Sequence, residues 1–140
     1  MECIDVVFDG FPKNDVDDFV KNELKIVQNN VVGSHFFSAE KGDYEYDDEI
    51  VLSEYFKYNA TCYLYLSELS FGVTFKNVMI LIASDTTSLN VTVNIEREQL
   101  GSYEQKKMKR YLHKLHSKYR IPKIIVTEED STLEYVFMIE

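Results

Sequence analysis

The sequence predicts an α+β fold, a single domain spanning residues 1–140 in which a mainly antiparallel sheet carries two amphipathic helices. Three observations lead there. Leu89, Val91, Val93 and Ile95 alternate with Asn90, Thr92, Asn94 and Glu96, the period of a strand with one face on a core. Met108, Tyr111, Leu112, Leu115 and Tyr119 recur at spacings of three and four, the stripe of a helix that lies on such a face. Between Lys76 and Lys123, strand, turn, strand and helix follow without a break, and layers built this way give an α+β sandwich.

Taken in order, residues 3 to 8 alternate, with Ile4, Val6 and Phe8 facing one way and Cys3, Asp5 and Val7 the other, and Asp9-Gly10 ends this first strand. A helix follows. Asn14 or Asp15 caps it, Asp17 and Asp18 suit the positive end of its dipole, and Val16, Phe19, Val20, Leu24 and Val27 form its stripe as far as Asn29-Asn30. His35 to Ala39 reads as a short strand because its aromatics favour a pleated, half-buried surface. From Asp48 onward two periods compete. Val51, Tyr55, Tyr58, Cys62, Tyr65 and Leu69 fit helical spacing, whereas Thr61 to Leu66 reads as a buried strand, so the expectation is a short helix near 48–58 and a strand near 61–67.

Val78 to Ala83 is the longest uninterrupted apolar run and is expected at the sheet centre, buried on both faces. Asp85 to Ser88 supplies the turn into the alternating strand already described. Ser102 with Gln105 matches a capping box at the start of the long helix, and Pro122 stops that helix near Arg120. Ile124 to Thr127 is a strand, Glu128 to Ser131 a charged turn, and Leu133 to Ile139 a last strand with Tyr135, Phe137 and Ile139 on one face.

Hydrophobic residues at 45% and aromatics at 14%, with no low-complexity tract, predict a compact globule rather than a disordered chain. Glu2, Asp5 and Asp9 stand where a signal peptide would carry positive charge, and no apolar run approaches the roughly 20 residues of a membrane span, so a soluble, cytoplasmic protein without a membrane partner is expected. Cys3 and Cys62 lie in apolar, strand-like surroundings and read as structural thiols. The glycosylation patterns at Asn59 and Asn90 lack the export signal that would give them meaning.

Chemistry finds little support. His113 and His116 are three apart on the long helix, but cations surround them and they read as solvated rather than metal-binding. Asp47, Asp48 and Glu49 lack the alternate-position oxygens and the glycine of a calcium loop. Nucleophile elbows, phosphate-cradling glycine loops and metalloprotease motifs are missing, and a thiol nucleophile at Cys3 or Cys62 would need an accessible, electropositive setting. No metal, no cofactor and no enzymatic activity are expected; a small enzyme with scattered residues is the weakest of three functional classes.

Charge supplies the positive signal. The net charge of −9 divides into an acidic body and one basic stretch: residues 106–123 hold eight Lys and Arg and no acid. A nucleic-acid binder usually has a basic balance overall, so nucleic acid is a disfavoured partner. Seven carboxylates fall within the fifteen residues from Glu40 to Glu54, interleaved with tyrosines. Like charges so gathered repel, while tyrosine is favoured in desolvated interface centres and a negative field speeds encounter with a positive partner. Asp43, Tyr44, Glu45, Tyr46, Asp47, Asp48, Glu49, Glu54 and Tyr55 are therefore the candidate partner-binding residues. Lys106, Lys107, Lys109, Arg110 and Lys114 are the alternative surface; its bland reading is a solvated face paired with the protein's own acids, and its functional reading is a nucleic-acid or adaptor site.

In length, charge and layout, and in the unit from Phe75-Lys76-Asn77 through Asn90-Val91-Thr92-Val93 to the helix, the chain resembles the immunity proteins of bacterial polymorphic and contact-dependent toxin systems. These are small, acidic, cytoplasmic α+β proteins without catalytic signatures. The resemblance implies a protein that binds a cognate toxin domain, often a basic nuclease, and blocks its active site or a neighbouring surface; the oligomeric state is left open, with a monomer favoured. The acidic stretch from Asp43 to Glu54 would then stand where nucleic-acid phosphates would.

Overall fold

The computed structural model describes residues 2–128 and 135–140. Seven strands, β1 (Cys3–Phe11), β2 (Val31–Ser38), β3 (Ala60–Phe71), β4 (Val73–Ser84), β5 (Leu89–Glu96), β6 (Lys123–Glu128) and β7 (Tyr135–Ile139), form one sheet. Their order is β2-β3-β4-β5-β1-β6-β7, with every pairing antiparallel. The sheet dominates. One long helix, α2 (Ser102–Tyr119), one helical turn, α1 (Leu52–Tyr55), and a short π-helix over Asp18–Glu23 are its main cover, where two full amphipathic helices were expected.

Alternation within the strands puts the core on one face only. Val6 and Phe8 of β1, Leu64 and Leu66 of β3, Ile80 and Ile82 of β4, Val91 and Val93 of β5 and Ile124 and Val126 of β6 are all buried there. Met108, Leu112, Leu115 and Tyr119 of α2 meet them from above, with Tyr111 partly buried edge-on to Phe71 at 5.4 Å between ring centres. The β3–β4 turn tucks under α2 at Gly72, whose φ is +86° and where a Cβ would lie 2.7 Å from the Lys107 carbonyl oxygen. Only glycine satisfies both the left-handed backbone and that approach.

Several expectations change. The apolar run Val78–Ala83 is not covered on both sides and not central: β4 is third in the order, β5 holds the middle, and Met79, Leu81 and Ala83 point to the helix-free face. The first strand runs on to Phe11 across a bulge at Gly10. The helix expected to reach Asn29-Asn30 ends at Glu23, because Lys25 turns left-handed (φ 53°) and swings Ile26, not Val27, into the core. Neither Asn14 nor Asp15 caps it. The capping box at Ser102 does not form either: Gly101 is the N-cap, and the Gln105 side chain donates to the Leu100 carbonyl at 3.1 Å.

The helix near 48–58 shrinks to Leu52–Tyr55, and the strands expected near 61–67 and 35–39 occupy Ala60–Phe71 and Val31–Ser38. The turn after β4 is as expected, with Asp85 N–H donating to the Ser88 carbonyl at 2.9 Å. Most of the charged turn expected at 128–131, together with Leu133, lies outside the described residues.

Candidate protein-binding site

The acidic stretch crosses the outermost strand of the sheet. Phe36 and Tyr44 exchange two backbone hydrogen bonds, 3.0 and 3.2 Å, and the Tyr46 N–H donates to Ser34 Oγ at 2.8 Å, so residues 44–46 cover the free edge of β2. Beyond them the chain is tied down from below. Both carboxylate oxygens of Asp17 accept backbone N–H groups at the start of α1, Leu52 at 2.6 Å and Ser53 at 2.9 Å, which makes Asp17 the cap of a helix 35 residues away. Lys21 pairs with Asp17 at 3.7 Å and donates to the Ile50 carbonyl. Asp48 accepts the Gln28 N–H at 2.8 Å, and Asp47 accepts that of Glu49 at 2.8 Å.

The tyrosines divide by role. Tyr46 is 4% exposed and its hydroxyl donates to the Ile26 carbonyl at 2.8 Å. Burial, reinforced by the Asp48 charge, pushes its phenol up to about 12. Tyr55 is also 4% exposed, packed edge-on against Phe36, Tyr44 and Phe56, with its hydroxyl donating to the Gly42 carbonyl at 3.1 Å. Its phenol is likewise pushed up to about 12, by burial first and by Asp43 second. Tyr44, at 47% exposed, is the one offered to solvent.

Between these anchors lies a groove of about 380 Å³ lined by Lys41, Tyr44, Ile50, Val51, Glu54 and Tyr55. Around it Asp43, Glu45, Asp47, Asp48, Glu49 and Glu54 are all exposed. Glu54 is paired with Lys57 at 3.0 Å and Asp43 faces His35 at 3.7 Å, while Glu45 and Glu49 engage no side chain among the described residues. Of the nine residues expected here, seven reach the surface together, Tyr55 forms a groove wall, and Tyr46 supports from within. Ile50 and Val51 were missed; two adjacent aliphatic residues inside a run of carboxylates were the available signal. The groove thus sets aliphatic and aromatic side chains inside a rim of carboxylates.

The family described as PABL017 Cdi1I immunity protein matches residues 2–132, a span that includes the whole acidic segment and α2. The chain belongs to this family. Its fold is shared with a chain of the solved structure of the toxic C-terminal tip of CdiA from Pseudomonas aeruginosa in complex with immune protein: TM-score 0.76, 12% identity, covering 98% of this chain and 94% of that one. No curated protein matches the sequence.

The alternative surface of this immunity protein lies on α2. Lys106, Lys109, Arg110 and Lys114 are exposed and Lys107 is half-buried. Among the described residues none of the five pairs with a carboxylate; Lys107 sits over the Tyr103 ring at 5.5 Å, Lys109 over Phe137 at 5.0 Å and Lys114 over Tyr111 at 5.8 Å. Among the described residues hydrogen-bonded self-pairing is confined to the end of the helix, with Lys114 adding its charge to the field at Glu23. There Glu23 accepts Lys118 at 2.6 Å and the Tyr111 hydroxyl at 2.7 Å, and Asp18 accepts the Tyr119 hydroxyl at 2.7 Å. Burial pushes the Glu23 carboxyl up, but the bonds from Lys118 and Tyr111 outweigh it and hold the group below its ordinary value. Hydrogen bonds from Asn22 and Tyr119 hold Asp18 down too.

Elsewhere the chemistry of the immunity protein is sparse. No group of three His, Cys, Asp or Glu suited to a metal occurs among the described residues. Cys62 is buried in the core, where desolvation pushes its thiol well up and away from nucleophilic character. Among the described residues no helix is long and apolar enough to cross a membrane.

Proposed function

We propose that this immunity protein neutralises a cognate toxin domain by binding it directly, with the segment from Asp43 to Tyr55 as the principal contact. The observation that carries the reading is the groove lined by Tyr44, Ile50, Val51 and Tyr55 and ringed by exposed carboxylates. Such a site takes an apolar anchor from the partner while its rim selects positive charge. A basic toxin domain meets both demands, and a nuclease is the basic enzyme whose phosphate-binding surface an acidic segment would occupy. Inhibition then follows from occlusion of the active site or of a surface beside it, with no catalytic step by the immunity protein. Family membership supports the same reading.

The test is titration with the toxic domain encoded by the adjacent upstream gene, together with growth of cells expressing both proteins. Tight binding and relief of growth arrest are expected. Replacing Glu45 and Glu49 by Lys should slow association about tenfold at low salt and flatten its salt dependence, since neither side chain engages another among the described residues. Absence of binding, or arrest that the protein does not relieve, rejects the proposal.

A further inference from the structure

Among the described residues one face of the sheet carries no helix. The pairing registers carry a single row of side chains across that face: His35, Tyr63, Leu81, Thr92, Val7, Ile125 and Met138, one from each of the seven strands. A solvated face of an antiparallel sheet is ordinarily polar at every second residue. Here β5 obeys with Asn90, Thr92 and Asn94, but β2 to β4 do not. Phe37 is 42% exposed and Tyr65 46%, and beside them lie Tyr63, Met79 and Leu81. His35 stacks on Phe37 at 3.9 Å between ring centres, and Tyr63 meets Phe37 edge-on at 6.1 Å. The apolar run in β4 that the sequence marks for burial on both sides thus has one side open.

We infer that this aromatic patch on β2, β3 and β4 is a second half of the toxin interface, so that the partner straddles the β2 edge of the sheet. The inference rests on the reading given under Proposed function and extends it to a different face. Continuity argues for one partner over both halves: Asp43 faces His35 at 3.7 Å, and it lines both a recess with Ser34, His35, Tyr44 and Glu45 and a groove of about 520 Å³ with Phe37, Asn59 and Thr61. Charge argues for its sign. The patch is bounded by Asp43 on one side and, beyond β5, by Asp5 of β1 on the other, while Asp9 stands opposite Lys123 of β6; the acids nearest the aromatic residues thus attract a basic domain where a second copy of this chain would bring like charges together. Aromatic faces next to carboxylates also suit arginine and lysine side chains.

The test uses the full chain and the toxic domain from the adjacent gene. Phe37→Ala and Tyr63→Ala should each speed dissociation at least tenfold, whereas Ile125→Ala, far along the same face, should change it less than twofold. Because a melting shift could confuse the substitutions, the unaltered protein provides a second readout: the Met79 ε-methyl resonance, broadened by a soluble gadolinium chelate in the free protein, should be shielded in the complex. Binding with Met79 still broadened and both aromatic variants unaffected overturns the inference and leaves the toxin-binding proposal standing. Shielding of Met79 in the absence of toxin, with a dimer in sedimentation, overturns it in favour of a second copy. Failure of the unaltered protein to bind overturns the underlying reading itself.

Discussion

Removing the Asp17 carboxylate should loosen the acidic segment without touching any of its residues. In Asp17→Ala two charge-assisted bonds to the Leu52 and Ser53 N–H groups are lost along with a partly exposed ion pair to Lys21. A cap replaced by alanine costs about 1 kcal/mol, and charged hydrogen bonds in buried settings cost about 1.5–3 kcal/mol each. Solvent reaches this site and can hydrate the freed amides, so the two contributions together come to about 2 kcal/mol. Asp17→Asn keeps one good acceptor and should lose about half of that. Urea unfolding at neutral pH measures the total, and amide exchange locates it: Leu52 and Ser53 should exchange markedly faster, while the central amides of β5 should change only by the global loss. A fall below about 0.5 kcal/mol for Asp17→Ala, or unchanged protection at Leu52 and Ser53, would refute the assignment of Asp17 as the cap of α1.

Three further outcomes are expected. Tyr46→Phe removes a buried hydroxyl from the Ile26 carbonyl and should cost about 1–2 kcal/mol in stability with toxin affinity preserved, whereas Tyr44→Ala should cost about 1 kcal/mol through its lost edge-on contact with Tyr55 and, in addition, speed toxin dissociation, as denaturation and binding kinetics on both variants will show. Asp18 and Glu23 have folded values below their ordinary 3.8 and 4.5, so the stability they contribute is complete above about pH 5 and fades as pH falls through those values and below; an acid titration of Glu23→Gln should show a shallower decline than the parent. Replacing Lys106, Lys107, Lys109 and Arg110 by Gln should leave toxin affinity unchanged within about twofold; a strong, salt-dependent affinity of the parent for RNA or duplex DNA that these changes abolish would instead make α2 a working surface.

What was legible in the sequence was local. The stripe of α2, the turn at Asp85 to Ser88 and the alternation of β5 each depend on neighbours within a few positions, and each is found where expected. The first helix failed because its stripe continues formally to Val27, while the chain is pulled out of the helix by distant partners: Ile26 is taken by the core and its carbonyl by Tyr46, twenty residues on. Asp17 was read as a dipole charge on its own helix and serves another. In the candidate site the carboxylates were visible as a run, but nothing local separates the buried Tyr46 and Tyr55 from the exposed Tyr44. The strands between residues 60 and 84 were foreshortened because Glu68 and Lys76, though paired within the sheet, are as polar as loop residues, and Asn77 beside them is left-handed and skipped by the pairing.

The bridge between Phe36 and Tyr44 joins main chain to main chain, and the further ties of the segment fall on a few fixed points: Ser34, Tyr46, Asp17 and the Asp48–Gln28 contact. The side chains of Glu45, Glu49 and Val51 take no part in any of them. Sequence drift at those three positions is therefore nearly free of folding cost. Variants of this chain facing different toxins can diverge there while the sheet edge stays sealed, so changes of specificity should accumulate around the groove faster than in the residues that hold it, and recombining those few positions between relatives is a direct route to redirecting protection.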